Sequence, residues 1–479
     1  MTTSTTTPRI PSARPTVSEP RPDRRWLVLG LLVTGLFMAM VDATIVNVAL
    51  GSIRADLDVS GAGLELVVSG YTIAYAMLLI TGARLGDLLG ARRIFLTGLA
   101  VFTAASLVCG VAPTTGVLIA ARFVQGAGAA GMVPQILAVI QQRFTGPDRA
   151  RALSVYGAVI AGGAVCGQVL GGLLVSADLF GTGWRPAFLV NVPVGLALLV
   201  LVPRFVPSDH VPRGRRLDLP GLVTASGGVL LVVLPLVLGR EEGWPAWTWA
   251  SMAVGAVLLV AFVVVERRVA ARGGDPLLDV SVVRTPGMRG GFVALGAGML
   301  AYGGFLFATS LHLQAGLGDS ALHAGLVFAP AAATFGSVGY AWRSLPARLH
   351  PWLPVVGLPV AGLGYALLAL TLHGGSQPLA LLVPVQLVTG VGMGLTFSPL
   401  LTLSLVRVPV VRAADASGLL ATTFQLSLVL GVTLIGGRYL DLAPSGTGSA
   451  VAEALVVCAL VTLVGTAGAY AVAREARRR

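Results

Sequence analysis

The chain contains no lysine: all 33 of its basic residues, among 479 in total, are arginines. A P-loop needs a lysine to reach the β- and γ-phosphates, so the chain carries no Walker-type ATPase of its own. Lysine Schiff-base chemistry, with pyridoxal phosphate or a carbonyl substrate, is excluded too. Charge of either sign is scarce, at 11% of residues, against about 25% in a typical soluble domain. Aromatics make up only 6%, and they do not interleave with the arginines as a nucleic-acid surface requires. The net charge of +12 therefore needs a membrane explanation rather than a nucleic-acid one. Three cysteines occur, Cys109, Cys166 and Cys458, all inside apolar runs. Their odd number and spacing exclude a disulfide framework or a cysteine metal site, and each reads as a small buried hydrophobe. No clustered His, Asp or Cys suggests a catalytic or metal centre.

What is abundant is apolar sequence. Hydrophobic residues make up 55% of the chain and the mean hydropathy is +0.85. Residues 1–25 are rich in Thr, Pro and Arg and read as a disordered tail. Apolar runs then recur at about 26–48, 63–82, 93–111, 115–139, 152–174, 186–203, 219–239, 247–265, 290–312, 322–341, 352–372, 379–401, 415–436 and 450–472. Each is long enough for a membrane helix, and helices satisfy their own backbone in lipid. The fold class expected is all-α and polytopic, with 14 transmembrane helices. The first run is too long for a signal-peptide core and is expected to stay in the protein.

The arginines test that count. If both termini lie in the cytoplasm, 28 arginines fall in cytoplasmic segments and four outside: Arg54, Arg185, Arg240 and Arg438. Arg122 alone lies within a run. Such a bias follows the positive-inside rule. The longer cytoplasmic links, 204–218 and 266–289, bracket two of the runs. The expected organisation is a six-helix unit at 26–203, links plus an inserted helix pair at 204–289, a second six-helix unit at 290–472, and a basic tail at 473–479. A weak echo between the loops at 83–93 and 342–349, both short and basic, agrees with duplication.

Ionisable residues inside a bilayer are costly and mark function. Asp42 lies about 24 Å along the first helix, and so about 9 Å from its outer end, while Arg122 lies roughly 10 Å into the fourth, which enters from outside. Opposite charges at one depth are expected to pair if their helices are neighbours. Desolvation disfavours a charged carboxylate and a nearby guanidinium favours it. A small change in geometry at Asp42 could therefore load or release a proton. A structural ion pair, or recognition of a cationic substrate, are the other readings of Asp42. Arg122 stays charged and cannot carry a proton itself. Glu65, at an outer helix end, reads as solvated, and so do His312 and His323.

The loop from Gly82 to Arg93 places Gly86 and Gly90 beside Asp87, Arg92 and Arg93. It reads as a charged latch between rigid bodies, or as a solvated turn. Small-residue spacing at Gly126, Gly128, Gly167, Gly171 and Gly172 suits closely packed helices that slide along a seam. Candidate polar residues of a substrate cavity are Asn47, Tyr71, Gln125, Gln168, Gln386 and Gln425, with Tyr75 and Asn191 behind them. Several of these are expected to serve as helix–helix hydrogen bonds instead.

Four stretches resemble the major facilitator superfamily, and more narrowly its fourteen-span drug:proton antiporters. Asp42-Ala43-Thr44-Ile45-Val46-Asn47-Val48-Ala49-Leu50 is similar to that branch's first-helix motif. Gly82 to Arg93 resembles the superfamily's signature loop. Arg122-Phe123-Val124-Gln125-Gly126-Ala127-Gly128 resembles the fourth-helix proton-transfer motif. Gly183-Trp184-Arg185 with Phe188 to Gly195 resembles a stretch typical of the fourteen-span branch. The fifth-helix antiporter motif lacks its usual proline, reading Gly167-Gln168-Val169-Leu170-Gly171-Gly172. Ala83 and Ala91 stand where the signature loop usually has Gly and Arg, and Gly51 where a proline often ends the first-helix motif.

The resemblance implies alternating access of two six-helix halves around a midplane cavity. It implies export of hydrophobic or cationic drugs driven by the proton motive force, with no cofactor. Proton coupling would fall to Asp42 and Arg122, in a monomer in the cell membrane. The alternative is a facilitator that imports or exports an endogenous metabolite.

Overall fold

The computed structural model describes residues 22–59, 61–208, 218–239, 242–272, 274, 276, 278–374, 379–409 and 412–477. The tail expected at 1–25 lies outside the described residues up to position 21, and so does the side chain of Glu65. Every regular element among the described residues is helical. The first seven α-helices are α1 (Pro22–Leu57), α2 (Gly61–Leu89), α3 (Ala91–Gly110), α4 (Thr115–Arg143), α5 (Gly146–Ser176), α6 (Pro186–Leu189) and α7 (Asn191–Phe205). A hairpin follows, α8 (Leu219–Leu238) and α9 (Ala246–Ala271). The remainder are α10 (Met288–Leu311), α11 (Ala321–Ala341), α12 (Leu353–His373), α13 (Leu379–Leu405), α14 (Ala413–Leu430), α15 (Gly437–Leu442) and α16 (Thr447–Arg477). Below, the near face is the one at which α1 begins and the far face the one at which it ends.

Among the described residues twelve helices are long and apolar enough to cross a membrane. A thirteenth is added if α2 counts as one span across a 49° bend between 66–79 and 81–89. In α5 the apolar stretch Cys166–Ser176 is too short to count among them.

Local chemistry sets the breaks. Gly90 joins α2 to α3 at φ 97°, a conformation that L side chains rarely adopt. Thr114, Asp218 and Ser320 cap α4, α8 and α11, each accepting a backbone N–H with its side-chain oxygen. Two π-helical turns, His312–Gly316 and Gly431–Gly436, extend α10 and α14.

Packing follows one plan twice. In the first part of the chain α4 packs against α2 and α3, and in the last part α13 packs against α11 and α12. The same glycine spacing makes both contacts. A Cβ on Gly126 would run into the Tyr71 carbonyl of α2, and one on Gly128 would lie 2.8 Å from the Gly98 carbonyl of α3. A Cβ on Gly390 would run into the Ala331 carbonyl of α11, and one on Gly392 would lie 2.7 Å from the Gly357 carbonyl of α12. The stretch Gln386-Leu387-Val388-Thr389-Gly390-Val391-Gly392 is thus the counterpart of Arg122 to Gly128. Backbones approach this closely only where both surfaces are small. The two parts meet where α5 packs on α11 and α2 on α14, and the α8–α9 hairpin rests on α2.

Two expectations need correction. Cys166 is exposed, unlike the buried Cys109 and Cys458; its side chain lies on an exposed face of α5. His312 is fully buried. The π-helical turn carries the chain end inward and packs His312 beside Gly316 and Thr447. His323 stays partly exposed, 3.8 Å from Asp319.

Candidate functional site

Asp42 occupies the middle of α1, and its carboxylate exposes no surface. Three donors from two other helices converge on it. Arg122 Nη1 on α4 donates to Oδ2 at 2.5 Å. Gln125 Nε2, one turn along α4, donates to Oδ1 at 2.7 Å, and Asn191 Nδ2 at the start of α7 donates to the same oxygen at 2.7 Å. Arg122 is equally buried. Its Nε donates to the Val67 carbonyl of α2 at 2.9 Å, and its Nη1 also donates to Gln125 Oε1 at 2.7 Å. Gln125 Nε2 donates in addition to Ser106 Oγ of α3 at 2.7 Å. The centre therefore ties α1, α2, α3, α4 and α7 together.

Two charges removed from water recover their desolvation cost only with good geometry and satisfied lone pairs. Here the carboxylate is fully satisfied by donors. A proton arriving at Asp42 must compete with the guanidinium or one of the amides, so protonation and loosening of these helix contacts are linked. Arg122 Nη2 has no hydrogen-bond partner among the described residues. The guanidinium carbon lies 4.7 Å above the Tyr71 ring and 5.7 Å from that of Phe188, at cation–π range.

Tyr71 has a second role as a wall. Its hydroxyl donates to the Ala39 carbonyl at 3.3 Å, while the residue also lines a cavity of about 100 Å³ between the two parts of the molecule. Ala43 and Thr44, the residues after Asp42, line that cavity too, with Asn47, Tyr302, Phe335 and Gln425. Toward the far face a larger cavity of about 440 Å³ follows, lined by Leu50, Arg54, Gln314 and Tyr439 among others. Asn47 and Phe307 border both. Toward the near face lies a smaller void of about 40 Å³, bounded by Leu36, Tyr75, Leu137, Tyr156, Phe397 and Leu401 among others. The wider cavity thus lies toward the far face and the narrower void toward the near face.

Of the six candidate cavity residues, Asn47, Tyr71 and Gln425 line the central cavity. Gln125 sits behind it on Asp42. Gln168 and Gln386 are fully buried, and their amide atoms have no hydrogen-bond partner among the described residues. Gln386 occupies the position in α13 that Arg122 occupies in α4. Of the seam glycines, Gly167 and Gly171 let α5 close on Val41 and Ile45 of α1; Gly172 lies in the same stretch of α5.

At the near face, Asp87 lies 3.8 Å from Arg84 on its own helix. Arg92 Nη2 donates to the Pro203 carbonyl at 2.9 Å, and Arg93 is exposed. A Cβ on Gly86 would overlap the Gln135 amide. Gln135 in turn donates to the Gly82 carbonyl at 2.8 Å, which pins α2 to α4. Gln135 and Ser106 are the contributors that sequence reasoning passed over; a polar residue deep in an apolar run was their only signal.

Residues 32–432 match the sequence profile of the Major Facilitator Superfamily. The chain belongs to this family. Among curated relatives of this facilitator is a probable actinorhodin transporter of Streptomyces coelicolor, 38% identical over 426 residues, 88% of this chain and 74% of the relative. A cephamycin export protein of Amycolatopsis lactamdurans is 38% identical over 89% of this chain and 86% of its own length. A puromycin resistance protein of Streptomyces alboniger is 36% identical over 94% and 88%. The fold resembles that of a proton:xylose symporter, with TM-score 0.64 at 12% identity over 93% and 95% of the two chains. A human organic anion transporter matches with TM-score 0.63 at 15% identity over 93% and 100%. This facilitator is therefore a multi-pass membrane transporter of small molecules and not an enzyme, and its relatives include a transporter, an export protein and a resistance protein.

Proposed function

We propose that this facilitator is a proton-coupled antiporter that exports hydrophobic or cationic antibiotics or drugs across the cell membrane by alternating access. The observation that carries the reading is the buried Asp42 carboxylate, bonded to Arg122, whose guanidinium stacks on Tyr71 in the wall of the central cavity. Protonation of Asp42 from outside frees Arg122, Gln125 and Asn191, favouring substrate release and return of the cavity inward. Deprotonation toward the cytoplasm restores the bonds and resets the cycle. The driving force is the proton motive force, with no cofactor. At about 2.3 kcal/mol per charge per 100 mV, one proton sustains a substrate gradient of order a hundredfold.

The cavity walls support a hydrophobic cargo with aromatic character, since Tyr302, Phe335, Phe307 and Phe424 face it together with Met40 and Met299. Asn47 and Gln425 offer polar contacts. In this reading the near face is cytoplasmic with both termini, as the arginine bias supports. The helices are fourteen spans in a 6+2+6 order: 26–203 and 290–472 are the two moving units, and 204–289 holds the inserted pair. The twofold recurrence of the glycine contacts in α4 and α13 supports that division. Asp87, Arg92 and Arg93, with Gly86 and Gly90, act as the latch between conformations, and the transporter works as a monomer.

The test is growth of a pump-deficient host expressing the chain against a panel of antibiotics, dyes and biocides. Resistance that disappears in Asp42→Asn, with the protein still in the membrane, supports the reading. Resistance that persists unchanged in Asp42→Asn contradicts it.

A further inference from the structure

Two buried acids face each other where the α8–α9 hairpin meets the rest of the molecule at the near face. Asp218 caps α8, with Oδ1 accepting from Gly221 N at 2.9 Å. Glu266 lies near the end of α9, with Oε2 accepting from Leu278 N at 2.8 Å. Asp218 is 8% exposed and Glu266 1%. Their remaining oxygens, Asp218 Oδ2 and Glu266 Oε1, are buried and have no hydrogen-bond partner among the described residues. Both approach the same point, the place where a Cβ on Gly221 would lie. Gly221 is thus the residue type that makes room for the two carboxyl groups to meet.

Ionised carboxylates only accept hydrogen bonds. Two of them side by side, out of water and with no donor between, repel each other, and the ordinary resolution is one proton held between the pair. The surrounding charges come from three directions. Arg84 of α2 is close enough to act electrostatically on both Glu266 and Asp415 of α14. Asp87 of α2 and Asp279 act on Asp415 as well. Asp279 is held by Arg412 at 3.1 Å, just before α14. Arg84, which also lies 3.8 Å from Asp87, therefore acts on both the acid pair of the inserted hairpin and an acid on the second half of the transporter.

We propose that Asp218 and Glu266 share a single proton and form a second protonation site, separate from Asp42, that fastens the α8–α9 hairpin and the 278–284 link to the near-face ends of α2 and α14. When the proton leaves for water at the near face, the O–H bond breaks and both carboxyl groups are negative. The pair then separates and attracts Arg84 away from Asp415. That weakens the contact between α2 and α14, two helices that border the narrow near-face void. The hairpin thereby acts as a pH-sensitive brace on the near-face gate.

The test uses infrared difference spectroscopy of the full chain in lipid vesicles while pH is raised. The expected result is a protonated-carboxyl C=O band, shifted in D₂O, that is lost in Glu266→Gln and in Asp218→Asn and retained in Asp42→Asn. Each variant keeps its backbone acceptor, so the α8 cap and the Leu278 contact survive. A titrating band unaffected by either variant overturns the proposal. A second readout is thiol labelling from the near face of Leu401→Cys in a background lacking the native exposed Cys166. Labelling that rises with pH in the parent and becomes independent of pH in Glu266→Gln is expected. An identical pH profile in the two overturns the proposal, whatever Asp42→Asn does to transport.

Discussion

Arg122 on α4 donates to the Asp42 carboxylate of α1 at 2.5 Å, and neither side chain exposes any surface. The Tyr71 ring lies 4.7 Å from the guanidinium carbon and also lines the central cavity. Chemistry at the carboxylate and occupancy of the cavity are therefore one ring thickness apart.

Removing one member leaves the other charge buried and unpaired, which costs about 3–5 kcal/mol. Arg122→Ala is expected to lower the apparent melting temperature of the purified transporter sharply. The double variant Asp42→Asn with Arg122→Gln removes both charges and is expected to recover most of that stability while remaining inactive in transport. A double variant as unstable as Arg122→Ala shows that packing, not unpaired charge, sets the cost.

Tyr71 separates two of its functions by atom. Its hydroxyl makes one long contact with the Ala39 carbonyl, whereas its ring covers Arg122. Tyr71→Phe is expected to transport within about tenfold of the parent, since one modest hydrogen bond is worth about 0.5–1.5 kcal/mol. Tyr71→Ala is expected to let protons cross vesicle membranes without substrate, read by an internal pH-sensitive dye. Tight vesicles with Tyr71→Ala show that the ring is not the barrier.

The glycine contacts make a paired expectation. A Cβ on Gly128 or Gly392 meets backbone of the neighbouring helix, while one on Gly30 meets nothing within 4 Å. Gly128→Ala and Gly392→Ala are expected to lose about 1–3 kcal/mol through overpacking. Gly30→Ala is expected to be neutral or to gain up to about 1 kcal/mol from helix propensity. Thermal unfolding of the three proteins compares them directly.

At the near face the Gln135 amide fills the space that Gly86 leaves. Gly86→Ala alone is expected to destabilise the transporter and impair its cycle. Combined with Gln135→Ala it is expected to cost less than the two single changes summed, because the clash has been removed. Additive losses in that cycle show that the two residues act independently.

How much of this is legible in the sequence varies with the kind of residue. Asp42 and Arg122 stand out because a charge in an apolar run is rare and because helix rise places both at one depth. Asn191 and Gln125 read as generic polar residues, and only the structure shows both donating to Asp42. The Val67 carbonyl that receives Arg122 is a backbone atom and carries no side-chain signature. Asp218 and Glu266 escape notice for a different reason: at helix ends acids are normally solvated, and here a link folds over them. The repeat is written more clearly in Arg122 to Gly128 and Gln386 to Gly392 than in the near-face loops. The glycines are retained where backbones touch, while the charge of Arg122 has become the neutral amide of Gln386. His312 shows the opposite failure, since a polar residue at an apparent helix end is buried when a π-helical turn continues the helix.

The most direct measurement is proton-driven transport by purified protein in vesicles with an imposed pH gradient, using a compound to which the chain confers resistance. The parent is expected to accumulate the compound on the acidic side and to move protons the other way. Asp42→Asn is expected to fold, to bind the compound, and to do neither. Accumulation by Asp42→Asn at the parent's rate and to the parent's extent contradicts the assignment of Asp42 as the residue that couples protons to export.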